Sequence, residues 1–144
     1  TIINRFNSFE LPAGRCNIVK GIYGSQIIDS SYNSSYVPLS NMIAFIDGIP
    51  GKKCLILSDM LHLGEIESEY YHRISMELNS TRIDYIILIG SLFKKYVSEY
   101  LHYEHYTELI RDANLNMYIS DATVLIKGGH STELHEIIKQ LTLK

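Results

Sequence analysis

The residues best placed to do chemistry are Asp29, Tyr32 and Asn33, in the stretch Ile27-Ile28-Asp29-Ser30-Ser31-Tyr32-Asn33. A short β-branched run ends there in an acid, two hydroxyls, a phenol and an amide. That is how a buried strand delivers polar side chains to the lip of a sheet. A carboxylate and an amide at such a lip can aim at a nucleotide or a phosphate-bound metal. The same residues can instead cap the next helix and satisfy loop backbone groups. Lys127 closes a second apolar run, Ala122-Thr123-Val124-Leu125-Ile126-Lys127. It either brings a cation to the same edge or stands as a solvated strand-end lysine.

Other candidates are better read as structure. Gly48-Ile49-Pro50-Gly51-Lys52-Lys53 has neither the spacing of a phosphate-binding loop nor a hydroxyl residue after its lysines. It leads from a helix into a strand, the reverse of a P-loop, and so reads as a helix-to-strand turn. His102 and His105 lie three apart with no second ligand pair, a weak case for zinc. The other histidines are scattered, and none forms a Ser-His-Asp or Cys-His pattern. Eleven tyrosines and no tryptophan raise base stacking as an idea. Tyr96 and Tyr100, however, fall at helical spacing, which suits packing. Cys16 and Cys54 each sit beside a strand-like run and read as buried thiols in a reducing compartment.

The elements that must position these residues follow from periodicity. Residues 17–20 and 25–29 predict two strands around Gly21-Ile22-Tyr23-Gly24, a small antiparallel hairpin. Pro38 suits a first helical turn, and Leu39, Met42, Ile43 and Ile46 trace one helix face. Lys53 to Leu57 predicts a fully buried strand, and residues 59–64 a loop at its end. A helix over 65–78 follows, with acids in its first turn. Residues 84–89 form the most strand-like run, closed by Gly90. Ser91 predicts a cap for a helix with Phe93, Tyr96, Val97, Tyr100 and Leu101 inward. A short strand over 103–106, a helix over 108–116 and a buried strand over 122–127 come next. Ser131 would cap a last helix with Leu134, Ile137, Ile138 and Leu141 facing in. Continuous Ile/Leu/Val strands alternating with helices predict an α/β, Rossmann-like three-layer sandwich, with a mostly parallel sheet opened by the antiparallel hairpin. Ligands in such sheets bind at the strands' carboxyl ends.

The 144 residues suit one domain, of which 46% are hydrophobic and 20% charged, so the chain is not a disordered one. A net charge of −3 and no basic run argue against a nucleic-acid partner. No apolar stretch approaches the roughly 18 residues that span a bilayer, and no signal peptide is visible. The first residue is Thr, as expected of a processed chain or an excised piece.

Several of these motifs together resemble the C-terminal domain of Mur ligases. Asp29-Ser30-Ser31-Tyr32-Asn33 is similar to the family's Asp-Asp-Ser-Tyr-Asn, and Ser58-Asp59-Met60-Leu61-His62-Leu63-Gly64-Glu65 to its Gly-Asp-Met-x-Glu-Leu-Gly-Glu. Glu67-Ser68-Glu69 with His72, Ile83-Asp84, Ile89-Gly90 and Val124-Leu125-Ile126-Lys127-Gly128 continue the match. Phe9, Pro12, Gly14 and Arg15 resemble the linker that enters this domain. The closest type is the one that adds D-alanyl-D-alanine to the UDP-N-acetylmuramoyl-tripeptide. The likeness runs from about Phe9 to Leu141.

The resemblance implies a linker over 1–14 from a central ATPase domain, and the C-terminal domain over 15–144. It implies a cytoplasmic ATP-dependent amide ligase of peptidoglycan-precursor synthesis, using ATP and Mg2+ held mainly by other domains. The N-terminal and central domains of the same protein, and an incoming amino acid or dipeptide, would be the partners. Asp29, Tyr32 and Asn33 would face the nucleotide. Asp59, His62, Lys127 and His130 would face the substrate cleft. The isolated domain, without a P-loop, is not expected to be active. The chain departs from the family at Ser30, Ser58, His62 and Gly129-His130. The last change removes a bidentate arginine. These departures motivate a second reading, a diverged non-catalytic binding or interaction module.

Overall fold

The computed structural model describes residues 17–30, 36–128 and 132–143. The linker expected over 1–14, Cys16, Tyr32, Asn33, His130 and the Ser131 cap lie outside them. Strand β1 (Asn17–Lys20) turns through a 3-10 segment, Ile22–Gly24, into β2 (Gln26–Ser30). Helix α1 (Tyr36–Gly48), β3 (Lys53–Ser58), α2 (Glu67–Asn79), β4 (Tyr85–Ile89) and α3 (Ser91–Tyr96) follow. Then come β5 (Leu101–Tyr103), α4 (Tyr106–Ile110), α5 (Leu115–Ile119), β6 (Thr123–Lys127) and α6 (Thr132–Leu141).

The strands form one six-stranded sheet in the order β1-β2-β6-β3-β4-β5. Among the described strands β1 runs antiparallel to β2, and the other strand pairings are parallel. Side chains alternate across a strand, and the apolar runs supply both faces. Ile28, Leu55, Leu57, Leu88 and Leu125 pack under α1, α2 and α3 with Leu39, Ile43, Ile74 and Phe93. Ile27, Ile56, Ile87, Val124 and Ile126 pack on the opposite side with Leu109, Ile119, Leu134 and Ile137 of α4, α5 and α6. This is the three-layer α/β sandwich that the unbroken Ile/Leu/Val strands predict.

The boundaries differ at three places. The helix after β4 stops at Tyr96, because Val97 is extended at φ −135° and ψ 98°. Tyr100 and Leu101 therefore leave the helix, and Leu101 opens β5, which lies earlier than residues 103–106. The helix expected over 108–116 is two short ones. The Asp112 carboxylate accepts the Asn114 N–H at 2.8 Å, a local turn that competes with helix continuation. Ahead of α2 the chain makes a 3-10 turn, Gly64–Ile66.

The glycine- and lysine-rich segment is the expected helix-to-strand turn at the amino end of β3. Lys52 Nζ donates to the Met117 and Ser120 carbonyls at 2.7 and 3.0 Å, and Lys53 Nζ to the Asp47 carbonyl at 2.7 Å. These ammoniums serve carbonyls at helix ends. Cys54 is fully buried and burial pushes its thiol up to about 12, so it is inert.

Ile56 lies in the middle of the sheet, paired with Ile87 and Ile126 and fully buried. Ile56→Ala should cost about 2–5 kcal/mol in urea unfolding. A loss below about 1 kcal/mol would mean the site collapses around the deletion.

Candidate functional site

The parallel strands all end at one edge: Ser30 on β2, Lys127 on β6, Ser58 on β3, Ile89 on β4 and Tyr103 on β5. β1 brings the chain in at the same edge, since Asn17 pairs with Asp29. Four of the seven sequence-predicted site residues fall among the described residues, namely Asp29, Asp59, His62 and Lys127.

Alternation divides them between the two faces. Asp29 shares the face of Ile27, toward α6, and is half-buried. Ser30 and Lys127 share the face of Ile28 and Leu125, toward α1. They are register partners, and Lys127 Nζ donates to Ser30 Oγ at 3.2 Å. Lys127 is only 4% exposed, so the solvated-lysine alternative is set aside. Moving an ammonium into such a place is costly without polar company. The position where the resembled family has a second acid, Ser30, supplies one such partner.

Gly128 follows Lys127. A Cβ there would overlap Ser58 Oγ and Leu134 Cδ1. The β6 exit can therefore pass between β3 and α6 only without a side chain.

Asp59 follows β3 by one residue. Its carboxylate accepts the N–H groups of Leu92 at 3.1 Å and Phe93 at 2.9 Å. These are first-turn amides of α3 that lack helical partners. Asp59 thus takes the capping role expected of Ser91 and ties the β3 exit to the β4 exit. Gly90, at φ 121°, makes this approach feasible, because a Cβ would run into the Asp59 carboxyl. The Gly90 carbonyl lies 2.8 Å from His102 Nε2. Burial pushes the Asp59 carboxyl above its ordinary range. The Phe93 and Leu92 amides and the nearby His102 charge pull the other way, and Glu67 adds to the rise.

Sequence reasoning missed the residue that holds this loop from within. Tyr71 is fully buried, and its hydroxyl accepts the Met60 N–H at 2.7 Å and donates to the Met60 carbonyl at 3.0 Å. Its ring packs edge-on against Phe93 and stacks on Tyr96, both with centroids 5.0 Å apart. The available signal was Tyr71, Ile74 and Leu78 at 3,4 spacing. That pattern puts a phenol on the inner face of α2, where it must find a partner. His62 is exposed and holds a left-handed backbone at φ 61°, with Gly64 at φ 63°. The loop therefore bends sharply twice.

His102 and His105 do not converge. His102 reaches Gly90, whereas His105 caps α4 by accepting from the Thr107 N–H at 3.4 Å. Among the described residues no three His, Cys, Asp or Glu side chains group as metal ligands. A magnesium ion at this edge would draw at most one or two ligands from these residues, Asp29 being the half-buried strand-end candidate. No helix among them is long and apolar enough to cross a membrane.

No protein-family model matches the chain. Curated relatives do. It is 30% identical over 139 residues to the UDP-N-acetylmuramoyl-tripeptide–D-alanyl-D-alanine ligase of Bacillus subtilis, covering 88% of the chain and 30% of that protein. The ligases of the same name from the Buchnera aphidicola of Acyrthosiphon pisum and from Escherichia coli are 27% and 26% identical over 122 residues. Each of those matches covers 80% of the chain and 26% of the relative. Solved structures share the fold as well. MurF ligase of Thermotoga maritima, in complex with ADP, superposes with a TM-score of 0.74 at 21% identity, over 92% of this chain and 31% of that one. MurF of Acinetobacter baumannii gives 0.76 at 17% identity, over 92% and 30%. The chain thus spans about 30% of the length of the relatives it matches, at their C-terminal part.

Two predictions follow from the geometry around Asp59. Gly90→Ala should cost about 1–3 kcal/mol from the left-handed backbone alone, and more from the overlap with Asp59. In an Asp59→Ala background the penalty should shrink, giving a coupling of at least about 0.5 kcal/mol in urea unfolding. Strict additivity would mean that the carboxyl does not crowd Gly90. The second concerns pH. Because the folded Asp59 pKa is raised, the folded state keeps a proton that the unfolded chain loses near 3.8. Stability contributed by Asp59 should therefore fall as pH rises from about that value through the folded pKa. The stability difference between wild type and Asp59→Asn should decline across this interval and then level off. A pH-independent difference would contradict the raised pKa.

Proposed function

We infer, for a chain homologous to the C-terminal part of Mur ligases, that it works as the third domain of an ATP-dependent amide ligase of peptidoglycan-precursor synthesis. The observation that carries this reading is the match to D-alanyl-D-alanine-adding ligases over 80–94% of the chain. It is supported by polar strand ends gathered at one edge, beside the point where β1 brings the chain in.

In this reading the domain closes over ATP bound mainly by other domains of the same cytoplasmic protein, with residues 1–14 as the connecting linker. ATP supplies the phosphoryl group that activates a substrate carboxylate: a carboxylate oxygen bonds the γ-phosphorus and ADP leaves. The incoming amine then bonds the acyl carbon, phosphate leaves, and the nitrogen gives up a proton. This domain's part is to orient the amine and exclude water from the acyl phosphate. The two faces of the strand edge suit a division of labour. Asp29, with Tyr32 and Asn33, serves the nucleotide and its Mg2+. Lys127 and His130 serve the amino acid or dipeptide, and Asp59 and His62 shape the loop beside it. An ammonium held at Lys127 by a rigid strand end is suited to a carboxylate-bearing substrate.

The test is the full-length protein. Its upstream sequence should contain a Gly-x-x-x-x-Gly-Lys-Thr/Ser loop. With UDP-N-acetylmuramoyl-tripeptide and D-alanyl-D-alanine it should release phosphate from ATP and form the amide, and Asp29→Ala should lower kcat/KM on the order of tenfold or more. A free-standing reading frame beginning near Thr1, or a full-length protein that forms no amide, would overturn the ligase reading. The second outcome would favour the non-catalytic module.

A further inference from the structure

Beyond β3 the chain must leave the sheet, turn twice through left-handed residues and re-enter as α2. Met60 is the first fully buried residue of that exit. Its N–H and C=O have left the strand ladder, and a dry site demands partners for both. One hydroxyl can serve both at once, because it donates one hydrogen bond and accepts others. Tyr71 does so across 11 residues, from the helix that the loop itself leads into. Residues 61–66 are thereby closed into a loop whose two ends are pinned to each other. Burial pushes the Tyr71 phenol up, so it stays protonated and keeps its donor. The same ring rests on Phe93, whose N–H is held by Asp59 one residue before Met60.

We propose that Tyr71 is a positioning residue for the incoming-amine substrate. Through Met60 it holds the loop carrying Asp59, His62 and Gly64 in the shape that the substrate meets. The proposal rests on the ligase reading above and deepens it. A ring without a hydroxyl would fill the same space, so packing alone does not require tyrosine here. The hydroxyl has one evident task, the Met60 backbone. A Phe at this place keeps the contacts to Phe93 and Tyr96 and frees the loop to shift. Shifts of about an ångström at a substrate-orienting group are costly to turnover.

The experiment compares wild type, Tyr71→Phe and Ile74→Val in the full-length protein. Ile74 is buried one turn further along α2, and its apolar side chain can make no hydrogen bond to the Met60 backbone. Ile74→Val therefore reports simple loss of stability. Steady-state kinetics with D-alanyl-D-alanine and with ATP varied separately, together with amide hydrogen exchange, give the readouts. In Tyr71→Phe the KM for the amine substrate should rise about tenfold while the KM for ATP stays within about twofold. The Met60 amide should exchange about tenfold faster. Ile74→Val should lower the melting temperature and move neither KM. An active wild type whose Tyr71→Phe variant keeps its amine KM overturns this proposal alone, whatever its stability. A wild-type protein that forms no amide overturns the ligase reading and this proposal with it.

Discussion

The architecture depends on one constraint: backbone groups that leave a buried sheet must be satisfied without water. Five parallel-running strands end at one edge, and each exit meets that demand differently. β3 and β4 exit together, because Asp59 caps the first turn of α3 while Tyr71 answers for Met60. β6 exits through Gly128, where the closeness of Ser58 and Leu134 leaves no room for a side chain. β2 ends with Ser30 beside a buried ammonium. The ligase reading proposed above assigns its site to the same edge, so in that reading local order and chemistry draw on the same residues.

Asp59 and Lys127 bring opposite charges to this edge. Asp59 is partly desolvated, and its two oxygens are engaged by amides with the His102 ring close by. Amide dipoles can hold a carboxylate in place without forming a salt bridge, so the group stays put whether or not a cation is near. Lys127 is the complementary case, a cation at a strand end under α1. The Ser30 hydroxyl beside it is a weaker partner than a carboxylate would be.

Much of the fold was legible because period and composition determine it. The runs at β3, β4 and β6 are too apolar to face water, and adjacent residues such as Leu55 and Ile56 feed opposite cores. The opening hairpin and the helix-to-strand turn at Gly51 were readable from turn residues. Harder to see was where short helices stop. Val97 and Asp112 break helices through local backbone preference and a side-chain turn, effects that apolar spacing does not report. The candidate edge was legible as strand ends, and Asp59 and Lys127 were named from the sequence. Their partners were less so. That Asp59 would cap α3 depends on β3 and β4 being neighbours, a contact 33 residues apart. Tyr71 carried a signal in its helical spacing, yet only its pairing with Met60 tells what the phenol is for.

The division of the edge between two faces follows from parity alone. Asp29 precedes the last residue of β2 and Lys127 is the last residue of β6, so on these hydrogen-bonded neighbours they occupy alternate positions and point to opposite layers. A one-residue slip of β2 would exchange Asp29 with Ser30 and put an acid against the Lys127 ammonium. The observed register avoids that pairing. It keeps the carboxylate of Asp29 on the α6 side and the cation on the α1 side. Register, rather than distance along the chain, is what separates these two side chains across the sheet.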